Sequence, residues 1–313
     1  MNRKHAKAIL TKKFNHWVKS IDSIPVQELV KQNSIISGGA IVSLLTNEPV
    51  NDFDVYFTNE ETTEKVARYY TDEFNKLHSP DPMPTVDVSD GRIRIRIQSA
   101  GIVGENTPDS QYQYFEGRPL EEGENYVAQS VGTILEGADD LDGTQLEPSG
   151  DKKSSKYRPV FLTDNAITLS DKIQIVIRFW GNPEEIHENY DYVHCTNYWV
   201  SKTGELVLRQ EALESILAKQ LFYVGSLYPV CSFIRARKFI QRGWHINAGQ
   251  MLKICLQISQ LDLTDVTVLE DQLVGVDTAY FIQIIDYMKT CQAKDNDFQP
   301  SVPYLISIID KIF

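Results

Sequence analysis

The chain has 313 residues, of which 31 are lysine or arginine and 43 are aspartate or glutamate, so its formal net charge is −12. This acidity excludes a protein that coats nucleic acid through a generally basic surface. A hydrophobic fraction of 42% excludes global disorder, because disordered chains have too few apolar residues to bury a core. No apolar run is long enough to cross a membrane, and no signal-peptide pattern begins the chain, so we expect a cytoplasmic protein with no membrane contact.

Much of the negative charge lies in one segment. Between Ser99 and Asp151, twelve acidic residues stand against one basic residue, Arg118. The segment is rich in glycine and its apolar residues follow no helical or strand period, so we predict a long acidic insertion over residues 99–156. The remaining 31 acidic and 30 basic residues leave the rest of the chain nearly neutral.

The first 80 residues contain the clearest predicted elements. Apolar residues recur every three or four positions over 5–20 and predict an amphipathic helix, and a shorter helix follows over 25–31. Residues 34–37 and 52–57 predict strands, separated by a Gly-Gly turn and a short helix over 40–45. Thr58 and Glu61 form a capping-box pattern, which predicts Thr58 as the N-cap of a helix that runs to about residue 77.

Further elements follow on both sides of the insertion. Arginine and isoleucine alternate over 92–97 and predict a strand, and residues 173–179 predict another. From Gln210 onward the spacing becomes helical, with helices predicted over 230–241, 251–258, 278–288 and after Pro303. The pattern therefore predicts an α+β or α/β domain over residues 1–205, with the insertion inside it, and a helical domain over residues 206–313.

A Gly-Gly turn and an acidic strand are the strongest candidates for a functional site in the sequence. Residues i and i+2 of a strand share a face, so Asp52 and Asp54 point to one side while Phe53 points into the core. Two carboxylates on one face suit Mg²⁺ or Mn²⁺, which also bind substrate phosphates. Gly38 and Gly39 precede a helix, whose free N–H groups and dipole favour an anion. The two features together predict a site for a divalent cation and a phosphate.

These residues resemble the nucleotidyltransferase superfamily, which includes DNA polymerase β, the tRNA CCA-adding enzymes and the minimal nucleotidyltransferases. Ser37-Gly38-Gly39 followed by Asp52-Phe53-Asp54 matches the turn and the Asp-x-Asp strand of that family. The sequences of residues 186–195 and 233–239 look most like those of nucleotidyltransferase-like proteins of tailed bacteriophages. The resemblance implies a polymerase β-like sheet with flanking helices, and Asp191 as a third carboxylate. Asp87, in another strand-like stretch, stays open as the alternative.

The resemblance also implies a reaction, in which an acceptor hydroxyl takes a nucleoside monophosphate from a nucleoside triphosphate and pyrophosphate is released. In the two-metal arrangement of that family, Mg²⁺ or Mn²⁺ is held by Asp52, Asp54 and Asp191. The triphosphate is held by Ser37, Gly38 and Gly39. The acceptor is left open between an RNA or tRNA end, a protein side chain and a small molecule. The alternative is a phage binding or regulatory protein that keeps the fold without the activity.

A basic helix face in the C-terminal region is a second candidate for contacts with phosphate. Arg235, Lys238 and Arg242 are spaced so that they share one face of the predicted helix over 230–241. Such a face binds a triphosphate or an RNA backbone, or is simply solvated. Both interpretations stay open at the level of sequence.

Overall fold

The computed structural model describes residues 2–80, 82–89, 91–96 and 156–263, together with residues 265, 268, 269 and 272. Its helices are α1 Arg3–Lys19, α2 Ile24–Asn33, α3 Gly39–Thr46, α4 Glu60–His78, α5 Pro183–His187, α6 Gln210–Ala218, α7 Pro229–Gln241 and α8 Ala248–Ile258. Its strands are β1 Ser34–Ser37, β2 Phe53–Phe57, β3 Thr85–Ser89, β4 Arg92–Arg96, β5 Pro159–Leu162, β6 Ala166–Leu169, β7 Ile173–Trp180, β8 Tyr198–Val200 and β9 Glu205–Val207. Residues 99–155 of the predicted insertion and the predicted helices at 278–288 and after Pro303 lie outside the described residues.

Seven strands form one mixed sheet in the order β5-β6-β7-β2-β1-β8-β9, and β3 pairs with β4 in a second sheet. The central strand, β2, runs antiparallel to β1 and parallel to β7. The protein is therefore a mixed α+β structure, a sheet with flanking helices, as the sequence predicts. β9 ends at Val207, so the large sheet continues past the predicted domain boundary at residue 205.

Alternation along β2 gives the sheet two chemically different faces. Phe53, Val55 and Phe57 are buried in the main hydrophobic core. Asp54 and Tyr56 project from the opposite face, because successive side chains of a strand alternate. The acidic side chain therefore lies on the face turned away from this core.

Helices α1 and α4 pack on the core face of the sheet. The ring of Phe14 on α1 lies 5.0 Å from that of Trp199 on β8. The indole Nε1 of Trp17 donates a hydrogen bond of 2.7 Å to the hydroxyl of Tyr70 on α4. Aromatic side chains thus join both helices to the sheet and to each other.

Helix α4 begins one residue later than the capping-box pattern predicts. Asn59 is the N-cap, and its side chain accepts a hydrogen bond of 2.9 Å from the backbone N–H of Thr62. The backbone N–H of Thr58 instead donates to the carbonyl of Asn33 at 2.8 Å, which keeps Thr58 in the extended chain leaving β2. The predicted N-cap at Thr58 is therefore wrong.

An aromatic cluster joins the short 3₁₀ turn Val193–Cys195 to helix α7. The ring of His194 lies 4.5 Å from that of Phe239 and 4.4 Å from that of Trp244, and its side chain is fully buried. Within the described residues, neither ring nitrogen of His194 has a hydrogen-bond partner. Burial, and to a lesser extent the charge of Arg242, lowers the pKa of His194 to about 3, so the ring is neutral at pH 7.

This buried ring makes stability depend on pH. The pKa of His194 is about 3 in the folded protein against an ordinary 6.5, so between these values the unfolded chain binds the extra proton. Acidification from pH 8 to pH 5 therefore costs about 2 kcal/mol of unfolding free energy through this residue. In His194→Phe we expect that part of the loss to disappear, as measured by urea unfolding at both pH values. His16→Phe, at an exposed position of α1, is the control; an identical pH dependence in all three proteins would contradict the assignment.

Every helix in the described ranges is too short or too polar to cross a lipid bilayer.

Candidate functional site

The doubled glycine and the acidic strand meet at the centre of the sheet. The β1–β2 register pairs Ser37 with Asp54, so Gly38 follows directly beside the acid. A Cβ atom placed on Gly38 would lie 2.9 Å from Oδ2 of Asp54. The backbone of Gly38 has φ 92° and ψ −153°, a region that is essentially restricted to glycine. Glycine is therefore required here both by the backbone and by the carboxylate next to it.

The first turn of α3 leaves backbone donors beside this contact. Gly38 is the N-cap of α3 and provides no side-chain cap. The first N–H groups of a helix have no partner within the helix, and the helix dipole favours an anion at this end. A Cβ atom on Gly39 would meet nothing within 4 Å, so the space in front of these groups is open. Donors and space together suit a phosphate.

Asp52 and Asp54 interact electrostatically. Asp52 is exposed just before β2, and Asp54 is partly buried on that strand. Burial, and next the charge of Asp52, raise the pKa of Asp54 well above its ordinary value, whereas Arg235 acts to lower it. A cation bound between the two carboxylates would remove the penalty that their proximity creates.

The set of ligands fits a cation that is shared with a substrate. In the ranges that the structure describes, no three His, Cys, Asp or Glu side chains are arranged to hold a metal ion. Mg²⁺ commonly takes one or two protein carboxylates and completes its shell with water and substrate phosphates. Asp52 and Asp54 therefore fit Mg²⁺ or Mn²⁺ bound together with a triphosphate, and do not fit a metal cage built from protein ligands alone.

Asp191 does not complete a three-carboxylate cluster with the two acids of β2. Its side chain is buried, and its carboxylate accepts a hydrogen bond from the guanidinium of Arg235 on α7. In this structure Arg235 engages that carboxylate, and the predicted role of Asp191 as a third metal ligand stays a prediction. The alternative, Asp87, lies in the second sheet, where it accepts hydrogen bonds from Arg96 at 2.8 Å and from Ser89 at 3.0 Å.

The three basic residues predicted to bind phosphate, Arg235 and Lys238 on α7 and Arg242 at its C-cap, have different environments. The side chain of Arg235 is 43% exposed and lies close enough to Asp54 to oppose the rise in its pKa. Lys238 is exposed one turn further along the helix. Arg242 donates to the carboxylate of Glu48 and, at 3.3 Å, to the hydroxyl of Ser43. Its guanidinium thus ties the C-terminal end of α7 to α3 and to the segment between α3 and β2, and its predicted role in phosphate binding stays a prediction.

Ser37 faces the protein interior. Its side chain is fully buried, and its hydroxyl donates to the carbonyl of Asn197 at 2.9 Å. The same oxygen lies 2.9 Å from Nε2 of His187, which must then be the donor because the serine proton is already used. The hydroxyl is thus engaged within the core, and the prediction that Ser37 holds the triphosphate stays a prediction.

Two tyrosines border the site and were missed in the sequence. Tyr56 follows Asp54 by two positions on β2 and shares its face, and the ring of Tyr190 lies 6.1 Å from that of Tyr56. The hydroxyl of Tyr190 lies 3.6 Å from a Cβ placed on Gly38. Burial, and next the charge of Asp54, raise the pKa of Tyr190, so its hydroxyl is kept neutral. Tyr56 could have been found from the period of two along β2, and Tyr190 from its position next to Asp191 in the sequence.

Comparison with known proteins identifies the family. The sequence model of the Gabija anti-defense 2 family ("Gabija anti-defense 2 family protein") matches residues 8–219. The chain therefore belongs to this family. A curated relative, "Gabija anti-defense 2" of Bacillus phage SPbetaL7, is 23% identical over 143 residues, which are 45% of this chain and 33% of the relative. The chain thus spans about a third of the length of that relative. Its phage origin agrees with the resemblance to phage proteins that the sequence carries.

Solved structures with a similar outline include enzymes that act on tRNA. The Thermotoga maritima CCA-adding enzyme in complex with tRNA has a TM-score of 0.36 and 10% identity, with 88% of this chain and 54% of that chain covered. A tRNA-processing enzyme with CTP has a TM-score of 0.36 and 12% identity, covering 92% of this chain and 57% of that one. Likenesses at this level do not define an activity.

The contact between Gly38 and Asp54 makes a stability prediction. We expect Gly38→Ala to lower the free energy of unfolding by about 2–3 kcal/mol, because the backbone region excludes a side chain and the new methyl group meets the carboxylate. Gly204→Ala is the matched control, since Gly204 has φ 62° but a Cβ there meets nothing within 4 Å. Its loss should be about 1 kcal/mol. Urea unfolding measures both, and equal losses would show that the carboxylate contact adds nothing.

Proposed function

We propose that this protein is a phage factor directed against the Gabija defence and that it acts by nucleotidyl transfer at the Gly38–Asp54 site. The observation that carries the proposal is the close approach of Gly38, at the N-terminus of α3, to Asp54, whose pKa is raised in part by the charge of Asp52. The family supports the anti-defence role. The chemistry of the site supports the reaction, since backbone donors suited to phosphate stand beside carboxylates suited to a divalent cation.

In the proposed reaction an acceptor hydroxyl attacks the α-phosphorus of a nucleoside triphosphate. A new bond joins the acceptor oxygen to that phosphorus, the bond to the β-phosphate bridging oxygen breaks, pyrophosphate leaves and the hydroxyl proton passes to water. Asp52 and Asp54 would hold Mg²⁺ or Mn²⁺, which supplies charge neutralisation for the triphosphate and acidifies the attacking hydroxyl. The N-terminus of α3 and Arg235 bind and orient the phosphates. The acceptor belongs to RNA, protein or a small molecule.

A second candidate function is nucleotide binding without turnover. The absence of a three-carboxylate cluster from the described residues favours it, because a site with only two acids holds the cation less firmly. In this case the protein would act against the defence as a binding protein. The two functions predict different products from the same mixture.

The function is tested by label transfer with the full-length protein. Each nucleoside triphosphate, labelled at the α-phosphate, is incubated with Mg²⁺ or Mn²⁺ and either total RNA or a lysate of host cells that carry Gabija. We expect pyrophosphate release and a labelled acceptor, and Asp54→Asn should lower both at least about 100-fold. Asp72→Asn, an exposed acid on α4, is the control and should retain activity.

Loss of folding would not explain the effect of Asp54→Asn. The raised pKa of Asp54 means that the folded state favours the protonated carboxyl, so a neutral amide should leave stability at pH 7 equal or higher. Nucleotide-dependent thermal stabilisation without any labelled product would support the binding candidate. A phage assay on Gabija-carrying cells completes the test: if Asp54→Asn counteracts the defence as well as wild type, nucleotidyl transfer is not the mechanism.

The pairing of Asp191 with Arg235 predicts a kinetic signature. If Asp191 positions Arg235 toward phosphate, Asp191→Asn should raise the KM for the triphosphate by about tenfold, since hydrogen bonds to charged groups contribute about 1.5–3 kcal/mol. The kcat and the Mg²⁺ concentration for half-maximal rate should change much less. A large rise in the Mg²⁺ requirement would instead identify Asp191 as a metal ligand. Arg235→Gln should reproduce the KM effect of Asp191→Asn.

A further inference from the structure

Helix α1 is strongly basic in an acidic protein. Its 17 residues include six lysines or arginines and no acidic residue. Two of the six are engaged with the fold, because Arg3 donates to the carbonyl of Leu206 and Lys13 to that of Asp171. The other four are exposed and make no ion pair within the described residues; we call them the α1 lysine row: Lys4, Lys7, Lys12 and Lys19.

The α1 lysine row follows the exposed side of the helix. From Lys4 to Lys19 it extends for about 22 Å along the helix axis. Three of its lysines line one shallow depression of about 480 Å³, and the side chains between them are the small or uncharged Ala8, Thr11 and Asn15. A groove of this kind presents several ammonium groups to one ligand with no carboxylate of the helix between them.

The chemistry of the helix favours a polyanion with regularly spaced charges over a lipid surface. A helix that binds membranes inserts an exposed apolar face. In α1 the apolar face is used by the protein core, where Ala6, Leu10, Phe14, Trp17 and Val18 are buried. A duplex carries about one phosphate per 1.7 Å of axis, so the length of the row matches about a dozen phosphates.

The row is separate from the proposed active site. Phe53 lies on the α1 side of the sheet, where Nζ of Lys13 is 5.5 Å from its ring centroid. Asp54 projects from the opposite face of the same strand. A ligand on the outer face of α1 is therefore on the other side of the sheet from Gly38 and Asp54.

We propose that the α1 lysine row binds the phosphate backbone of nucleic acid. The four ammonium groups contact phosphate oxygens without reading bases, so binding is independent of sequence and falls steeply with salt. The surface gives an acidic protein a local attachment to nucleic acid that its net charge of −12 would otherwise oppose. This inference stands independently of the proposed nucleotidyl transfer.

Binding is measured by fluorescence anisotropy with the full-length protein, a labelled 20-base-pair duplex and a labelled single-stranded RNA, over a range of salt concentrations. The row variant changes Lys4, Lys7, Lys12 and Lys19 to glutamine. The matched control changes Lys31, Lys65, Lys76 and Lys202, exposed lysines outside α1, to glutamine and so alters net charge equally. Circular dichroism and thermal unfolding check that both variants are folded.

We expect wild type to bind both probes and the row variant to bind at least about tenfold more weakly, with a salt slope reduced by about 2–4. The control should stay within about twofold of wild type.

Equal weakening in both variants would show a net-charge effect and overturn the proposal, as would no binding by wild type at about 50 mM salt. If the row variant loses the binding of wild type to phosphatidylserine vesicles but binds nucleic acid as well as wild type does, the proposal is overturned in favour of a membrane ligand. If amine labelling finds the four lysines protected in the free protein, the surface is already covered and the proposal fails.

Pyrophosphate release with a small acceptor separates this inference from the proposed function. The row variant should keep that rate, since its lysines lie across the sheet from the acids. Failure of nucleic-acid binding with retained turnover would leave nucleotidyl transfer standing. Nucleic-acid binding by wild type with no turnover in any mixture would leave the binding proposal standing and contradict nucleotidyl transfer.

Discussion

The candidate site depends on the close approach of the Gly38 backbone, which carries no side chain, to the carboxylate of Asp54. Gly38 and Asp54 come together because the antiparallel register of the two central strands sets Ser37 opposite Asp54. A slip of that register by one residue would turn Asp54 into the core and Phe53 toward the site. The pairing that buries Phe53, Val55 and Phe57 is therefore the same pairing that presents the acid, and the site cannot form without the core.

The helical region belongs to the site as much as the sheet does. Arg235 of α7 engages Asp191, and Arg242 at the C-cap of the same helix engages Glu48, in the segment between α3 and β2. The Arg242–Glu48 pair is partly exposed and contributes little to stability by itself. The apolar burial comes from the cluster around His194, where Phe239 and Trp244 pack. Packing thus stabilises α7 against the sheet, and the ion pairs fix which way its arginines point.

Local patterns in the sequence predicted most of the elements, and long-range partners could not be predicted. Helix α1, strands β1, β2 and β7 and the positions of the α7 and α8 helices follow from apolar spacing, which depends on neighbouring residues alone. Alternation along β2 also predicted that Phe53 would be buried. Local patterns could not show that Ser37 contacts His187, 150 residues away, or that Arg242 contacts Glu48, 194 residues away. A polar side chain near a motif can serve a substrate or the fold, and only the identity of its partner decides between them.

If the proposed function is right, the charges around Asp54 favour a metal–triphosphate complex over either component alone. The two acids repel a free triphosphate, and the N-terminus of α3 together with Arg235 disfavours a free cation. Arg235 compensates Asp54 only in part, because Asp191 shares its guanidinium. The site therefore places acidic side chains at the start of β2 next to the positive end of α3. A ligand that carries a cation on one side and phosphate oxygens on the other satisfies both, and this is the form in which Mg²⁺ and a nucleoside triphosphate meet in solution.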